Sequence, residues 1–326
     1  MSGPTVTAVV TAHDRSGFLP EAVASALAST ADEVVVVRNF SGPIEGVEGR
    51  YRDIPCLDAE TGVKEAVGLE SARGEIVAFL DDDDLWDPGK VPRVRELFGG
   101  DPRLAYYCHD QTPVDAAGRP VTAGHREWAL KDPSRFASWD GRDFRTLFQE
   151  IWPGNNSSTV VRRDWGLGWA PALREAGWAA DRFWIAAALI DRRSIRLEAT
   201  PLTRLRLHEL NMSQTRGASA EEFRILHATS SARFARSCRT VARIASERIG
   251  LDSPLTRHFL QSAEAFSFFA DLENDHRPRS SALSALLRGP GWGDRAVLGS
   301  ALVTLLSPAF ARRLLYRSSH QRWRFT

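Results

Sequence analysis

Cysteine is scarce and scattered: Cys56, Cys108 and Cys238 are the only three in 326 residues. An odd number with no CxxC pair argues against a disulfide framework or a zinc knuckle and suits a reducing compartment. Lysine is nearly missing as well, occurring only at Lys64, Lys90 and Lys131, so arginine supplies almost all of the 42 basic residues. The excess charge that nucleic acid would call for is also lacking, because 41 acidic residues leave a formal net charge of +1. No apolar run reaches the ~20 residues of a membrane-spanning helix. The longest, 296–310 (AVLGSALVTLLSPAF), is interrupted by Ser300, Ser307 and Pro308. The opening MSGPTVTAVVTAHDR has neither the basic nor the apolar region of a secretory signal, so a cytoplasmic location is expected.

What is present is an alternation. Short β-branched runs at Val6–Thr11, Glu33–Val37 and Glu75–Leu80, with a weaker one around Arg50–Ile54, are interleaved with helical spacing at Phe18–Ser29 and Gly62–Ala72. Runs of this length bounded by turns predict βαβ units and an α/β fold with a mostly parallel central sheet, buried on both faces. Ligands gather at the carboxyl ends of such strands. Thr11–Arg15, Arg38–Ser41 and Asp81–Asp84 all follow strands directly and are expected to line one crevice. Further strands are expected at Leu104–His109, Ser158–Arg162 and Ile195–Leu197, with a helix over Asp181–Ile190. Beyond about Gly217 only helices are expected, at Ala220–Ile249, Leu255–Asn274 and Ser281–Leu287. The reading is therefore a domain over 1–216, with halves 1–103 and 104–216, and a helical region over 217–326 that ends in a basic tail.

The chemistry concentrates in FLDDDDLWD, residues 79–87. Four contiguous carboxylates repel one another. At the end of a buried strand they make a site for a hard divalent cation, Mg²⁺ or Mn²⁺, which would neutralise them and bridge to phosphates. The bland alternative is a helix cap plus solvated surface, and Asp87-Pro88 does read as a helix start.

Taken in order, VVTAHDRSGFLPEAVASAL, EVVVVRNFSG, GEIVAFLDDDDLWDPGK and RLRLHELNMSQT resemble family-2 glycosyltransferases, nucleotide-sugar-dependent enzymes of the GT-A fold, from about residue 5 to 215. The resemblance implies that Asp81 and Asp83 are the ends of a DXD motif, with Asp83 the direct metal ligand. Asp81 would contact the ribose or the metal's water shell. Asp82 takes the variable position, and Asp84 would face the donor sugar or an arginine. Thr11, His13, Asp14, Arg15, Arg38, Asn39, Lys64, Asp81 and Asp82 are expected on the donor side.

The family's base that deprotonates the acceptor hydroxyl would be Asp181 in GWAADRFWIAAAL, with Glu175 and Asp191 as fallbacks. Read without the resemblance, Asp181 is a helix cap. His208 would supply a metal or diphosphate contact, flanked by Arg206, Asn211 and Ser213. Trp152, Asn155 and Asn156, followed by Ser157 and Ser158, resemble the acceptor-side loop.

Three departures concern the donor. Arg38 and Asn39 stand where the family places base-pairing aspartates, Glu65-Ala66 replaces an Arg-Asn pair, and His13 replaces a stacking tyrosine. The function implied is an inverting, metal-dependent, hexosyl-type glycosyltransferase acting on a saccharide or lipid-linked saccharide acceptor. The rivals are a nucleotidyltransferase, disfavoured because TAHDRSGF carries one glycine, and a non-catalytic sugar-nucleotide sensor or scaffold. Arg233, Arg236, Arg239 and Arg243 share a helix face. The tail carries Arg312, Arg313, Arg317, Arg322 and Arg324 with Tyr316, Trp323 and Phe325, and no acid follows Asp294. It is compatible with peripheral membrane contact, with packing on the domain, or with a homo-oligomer.

Overall fold

A computed structural model describes residues 3–14, 17–121, 154–208 and 219–274, with isolated positions at 276, 279–281, 284, 307 and 310–312. The described residues up to Leu207 form one compact unit and those from His208 onward a second.

The first unit is α/β. Strand β1 (Val6–Ala12) is buried along its whole length, as is most of β2 (Glu33–Arg38) and β4 (Ile76–Asp81). β3 (Arg52–Pro55) lies outside β2, and β1, β2, β3 and β4 pair in parallel. Even-numbered Val6, Ala8 and Val10 turn to one face, where helix α1 (Leu19–Ala28) packs Ala22, Val23 and Ala26 against them. α2 (Thr61–Ser71) covers the other face. There Gly68 lies so near β1 that an added Cβ would sit 2.2 Å from Val9 Cγ1. The helix can approach the strand this closely only because glycine has no side chain.

After β4 come a two-residue strand β5 (Leu85–Trp86), helix α3 (Lys90–Gly100) and the long β6 (Leu104–Val114). A 3₁₀ turn at Asn156–Ser158 leads into β7 (Thr159–Arg162). Short helices α4 (Arg163–Leu167) and α5 (Ala170–Ala176) precede α6 (Ala180–Ile190) and β8 (Ser194–Arg206). The eight strands form one sheet in the order β3-β2-β1-β4-β7-β6-β8-β5. β7 runs antiparallel to both β4 and β6, and β8 parallel to β6.

β6 and β8 are longer than their apolar runs predict. Both continue through polar residues, and β6–β8 pairing shifts register between His109 and Asp110 and again between Asp110 and Gln111. Such irregularities break the period-two alternation that marks a strand in sequence.

The second unit contains α7 (Ala220–Ile249) and α8 (Pro254–Glu273). α7 opens with a capping box in which Ser219 and Glu222 satisfy each other's backbone N–H. Phe234 stacks on Phe266 at 4.9 Å between the two helices. The helix expected at Ser281–Leu287 and the apolar stretch 296–310 fall largely outside the described residues. No helix among the described residues is long and apolar enough to cross a membrane.

Candidate active site

The four aspartates leave β4 at its carboxyl end, beside the end of β1. Each then meets a different surrounding. Thr11 Oγ1 donates to Asp81 Oδ1 at 3.3 Å, and Asp82 Oδ2 accepts the His13 backbone N–H at 3.4 Å. Asp83 is almost enclosed, and its carbonyl accepts Arg206 Nε at 2.8 Å. Asp84 is the most committed. Its carboxylate accepts Ser157 Oγ at 2.6 Å and the Arg206 N–H at 2.8 Å. Burial, reinforced by the neighbouring Asp83 charge, pushes its pKa up to about 7. The acidic run is thus held inside the fold rather than displayed on a solvated surface.

Of the residues expected on the donor side, Asp14 and Asn39 clamp the ends of β1 and β2 together. The Asp14 N–H donates to Asn39 Oδ1 at 3.0 Å, and Asn39 Nδ2 donates to Asp14 Oδ1 at 2.6 Å. Asp14 takes a left-handed φ of 53° there, a conformation aspartate tolerates better than most residues. His13 Nε2 lies 3.2 Å from Asp14 Oδ2. Lys64, almost fully buried on α2, has its pKa lowered by burial against the opposing pull of charges that include Asp82, Asp58 and Asp14.

Arg38 is enclosed. Its guanidinium is bound by the Asp53 carboxylate and the Gly42 carbonyl, and it lies 5.0 Å from the Phe40 ring centroid. The group offered at that edge is therefore Asp53, 41% exposed, rather than the Arg38 side chain. Arg15 lies outside the described residues.

Asp181 sits in the first turn of α6. The N-cap is Ala179, held at φ 54° with no side-chain cap, so Asp181 does not cap this helix. Its Oδ1 accepts the Arg182 N–H at 2.7 Å, and burial raises its pKa. Of the fallbacks, Glu175 is exposed on α5. Asp191 accepts the indole N–H groups of Trp165 at 2.9 Å and Trp169 at 2.8 Å, a structural tie. Glu65 is fully buried on α2. Burial is the main reason its pKa is well above the carboxylate range, and the charges of Asp81 and Asp181 add to it.

Residues 7–142 match the sequence family described as glycosyl transferase family 2. The matched stretch, 136 of 326 residues, includes the aspartate run at the end of β4. An uncharacterized glycosyltransferase of Nostoc sp. is 28% identical over 104 residues, 28% of this chain and 32% of that protein. The aligned segment thus spans about a third of that relative's length. The crystal structure of S. aureus TarS 1–349 shares the fold, with a TM-score of 0.50 at 16% identity over 98% of this chain and 91% of that one. The same fragment was also crystallised with UDP-GlcNAc.

No cluster of three or more His, Cys, Asp or Glu stands ready for a metal among the described residues. The strand end offers hard oxygen donors instead, with Asp81 and Asp83 separated by a single residue. That set fits a small divalent cation that keeps waters and takes substrate phosphate oxygens, as Mg²⁺ and Mn²⁺ do. His208 follows β8 by two residues, half-buried, at the start of the second unit. Trp152, Asn211 and Ser213 lie outside the described residues. Asn155 and Asn156 are present in the turn before β7, where Asn155 Oδ1 accepts the Ser158 N–H at 3.0 Å.

Two residues have roles that sequence reasoning missed. Ser157 accepts the Asp81 N–H at 3.0 Å on its hydroxyl. Its carbonyl accepts Lys90 Nζ at 2.5 Å, Thr203 Oγ1 at 2.8 Å and Trp86 Nε1 at 3.2 Å. Arg206 reaches Asp83, Ala116 and Glu21 with its guanidinium while its own N–H holds Asp84. The only signal for Arg206 was its place in RLRLHELNMSQT; for Ser157 there was none beyond its position after two asparagines.

Proposed function

We propose that this glycosyltransferase moves a sugar, with inversion, from a nucleoside diphosphate-sugar to an acceptor hydroxyl, with Asp181 as the general base. The observation that carries this reading is that Trp184, three residues after Asp181 on α6, stacks on Phe79 of the aspartate strand at 5.9 Å, which supports a site shared by the aspartate cluster and the head of α6. A divalent cation held by Asp83 and Asp81 would stabilise the charge that develops on the leaving diphosphate. Lys64 adds a positive charge beside Asp82, and Thr11 orients Asp81. The raised pKa of Asp181 suits proton removal from an alcohol better than an ordinary carboxylate would. The nucleobase is proposed to lie over the β2–β3 edge, where Asp53 supplies the acceptor that Arg38 cannot. The TarS complex makes a uridine sugar nucleotide the first donor to test.

The acceptor is proposed to be a glycan or lipid-linked glycan precursor, with the Arg-rich tail 312–325 holding the enzyme at an anionic membrane face. Turnover is measured as UDP release from UDP-GlcNAc or UDP-glucose, with water taking the sugar in place of the acceptor hydroxyl, with Mn²⁺ present or removed by EDTA. Asp181→Asn should lower kcat by about 10²–10⁴ while donor binding persists, and Asp83→Ala should abolish metal-dependent donor binding. Full turnover in either variant would remove that residue from its role.

A further inference from the structure

Glu65 is a buried ionisable group that the proposed chemistry leaves without a task. Its Oε2 accepts the Trp184 indole N–H at 2.7 Å, whereas Oε1 is enclosed with no hydrogen-bond partner among the described residues. Leaving a carboxyl oxygen buried and unpaired is costly, so the arrangement needs a reason. Trp184 supplies one. It belongs to α6, three residues after Asp181, and its ring stacks on Phe79 of β4 at 5.9 Å with an interplanar angle of 17°. Phe79 lies two residues before Asp81. A single indole therefore joins the strand that carries the aspartates, the helix that carries the base, and Glu65 on α2.

A second tie runs parallel to it. The Gly62 N–H donates to the Gly177 carbonyl at 2.8 Å, and a Cβ at Gly62 would lie 2.9 Å from the Leu173 carbonyl. The start of α2 is thus seated directly on the chain that turns into α6. Apolar packing alone would let the Trp184 ring slide in its plane against Phe79. A hydrogen bond at its edge fixes its position and, through the first turn of α6, the position of Asp181.

We propose that Glu65 is a positioning residue. By accepting the Trp184 N–H it sets the distance between the Asp181 carboxylate and the aspartates at the end of β4. The inference rests on the proposed function, because it assigns Asp181 the base role. Misplacing a reacting group by about 1 Å can cost on the order of a hundredfold in rate. Glu65→Leu removes the acceptor, and Trp184→Phe removes the donor while keeping a ring on Phe79. Glu65→Gln keeps an acceptor oxygen of the same length.

The test measures kcat for UDP release from UDP-GlcNAc or UDP-glucose, and calorimetric binding of UDP with Mn²⁺. Glu65→Leu and Trp184→Phe should each lower kcat about tenfold to a hundredfold with UDP affinity within about twofold. The double variant should be no worse than either single one, because both remove the same bond. Glu65→Gln should restore kcat to within about threefold. Should Glu65→Leu fail to fold, Trp184→Phe against Glu65→Gln still reads the same link. Retained kcat in Trp184→Phe, additive losses, or equal damage from Gln and Leu would overturn the proposal and leave the proposed function standing. A folded wild type that, with Mn²⁺, neither binds UDP, GDP, ADP or dTDP nor releases any of them from the corresponding sugar nucleotides would overturn both.

Discussion

At the scale of single residues, the site is built from side chains that satisfy backbone groups as much as from those that would touch substrate. Arg206 is the clearest case. It is 1% exposed, its guanidinium lies 4.4 Å from the Phe18 ring centroid, and it binds two carbonyls and Glu21. Lysine could keep the charge but not the planar fork. Arg206→Lys should therefore cost about 2–3 kcal/mol in a urea titration and weaken UDP binding with Mn²⁺. At the β2–β3 edge, Asp53→Asn should reduce the thermal shift given by UDP with Mn²⁺ and leave that of pyrophosphate with Mn²⁺ unchanged. An equal loss for both ligands would move the base away from Asp53. The aspartate run was legible as a candidate site because its position after an apolar strand is a local fact. Asp53, Ser157 and Arg206 were not, because each acquires its role from partners between 15 and 185 residues away.

At the scale of elements, the first half of the sheet was legible and the second half only partly so. β1, β2 and β4 are continuous apolar runs flanked by turns, which fixes both their type and their neighbours. β6 and β8 hold together through a polar network that no periodicity announces. Glu198 on β8 binds Arg93 of α3, Arg196 of its own strand and the Tyr107 hydroxyl of β6. Burial works to raise the Glu198 pKa, but these hydrogen bonds outweigh it and hold the carboxyl below its usual 4.5. A depressed folded pKa means stability that is present above the unfolded value and lost as pH falls through the folded one. Glu198→Gln should thus be less stable than wild type by about 1–3 kcal/mol at pH 7, and the gap should hold down to about pH 4.5 and close below it in a melting series. On the opposite face of the sheet, Gly68→Ala should cost about 1–3 kcal/mol by overpacking, since the new methyl meets Val9 on the central strand.

At the scale of the whole molecule, the α/β unit and the helical unit rest on different physics. The first is held by a central sheet with buried ionic partners, and the second by a long helix pair with an aromatic seam. α7 was legible to the residue because Ser219 caps it in the sequence and Gly250 ends it. The tail beyond Arg312 carries the membrane proposal. Full-length protein should co-sediment with phosphatidylserine-containing vesicles at low salt, release as salt rises, and ignore neutral vesicles. Co-sedimentation that is indifferent to charge would point instead to apolar insertion. The turn at Ser157 has a consequence for attempts to exchange specificities by splicing. Its hydroxyl and carbonyl tie the aspartate strand end to α3 and β8, so the donor half lacks a closed hydrogen-bond network of its own. A chimera joined near residue 103 would inherit the aspartates without the serine that seats them. Domain shuffling should succeed only where the graft brings an equivalent of this turn with it.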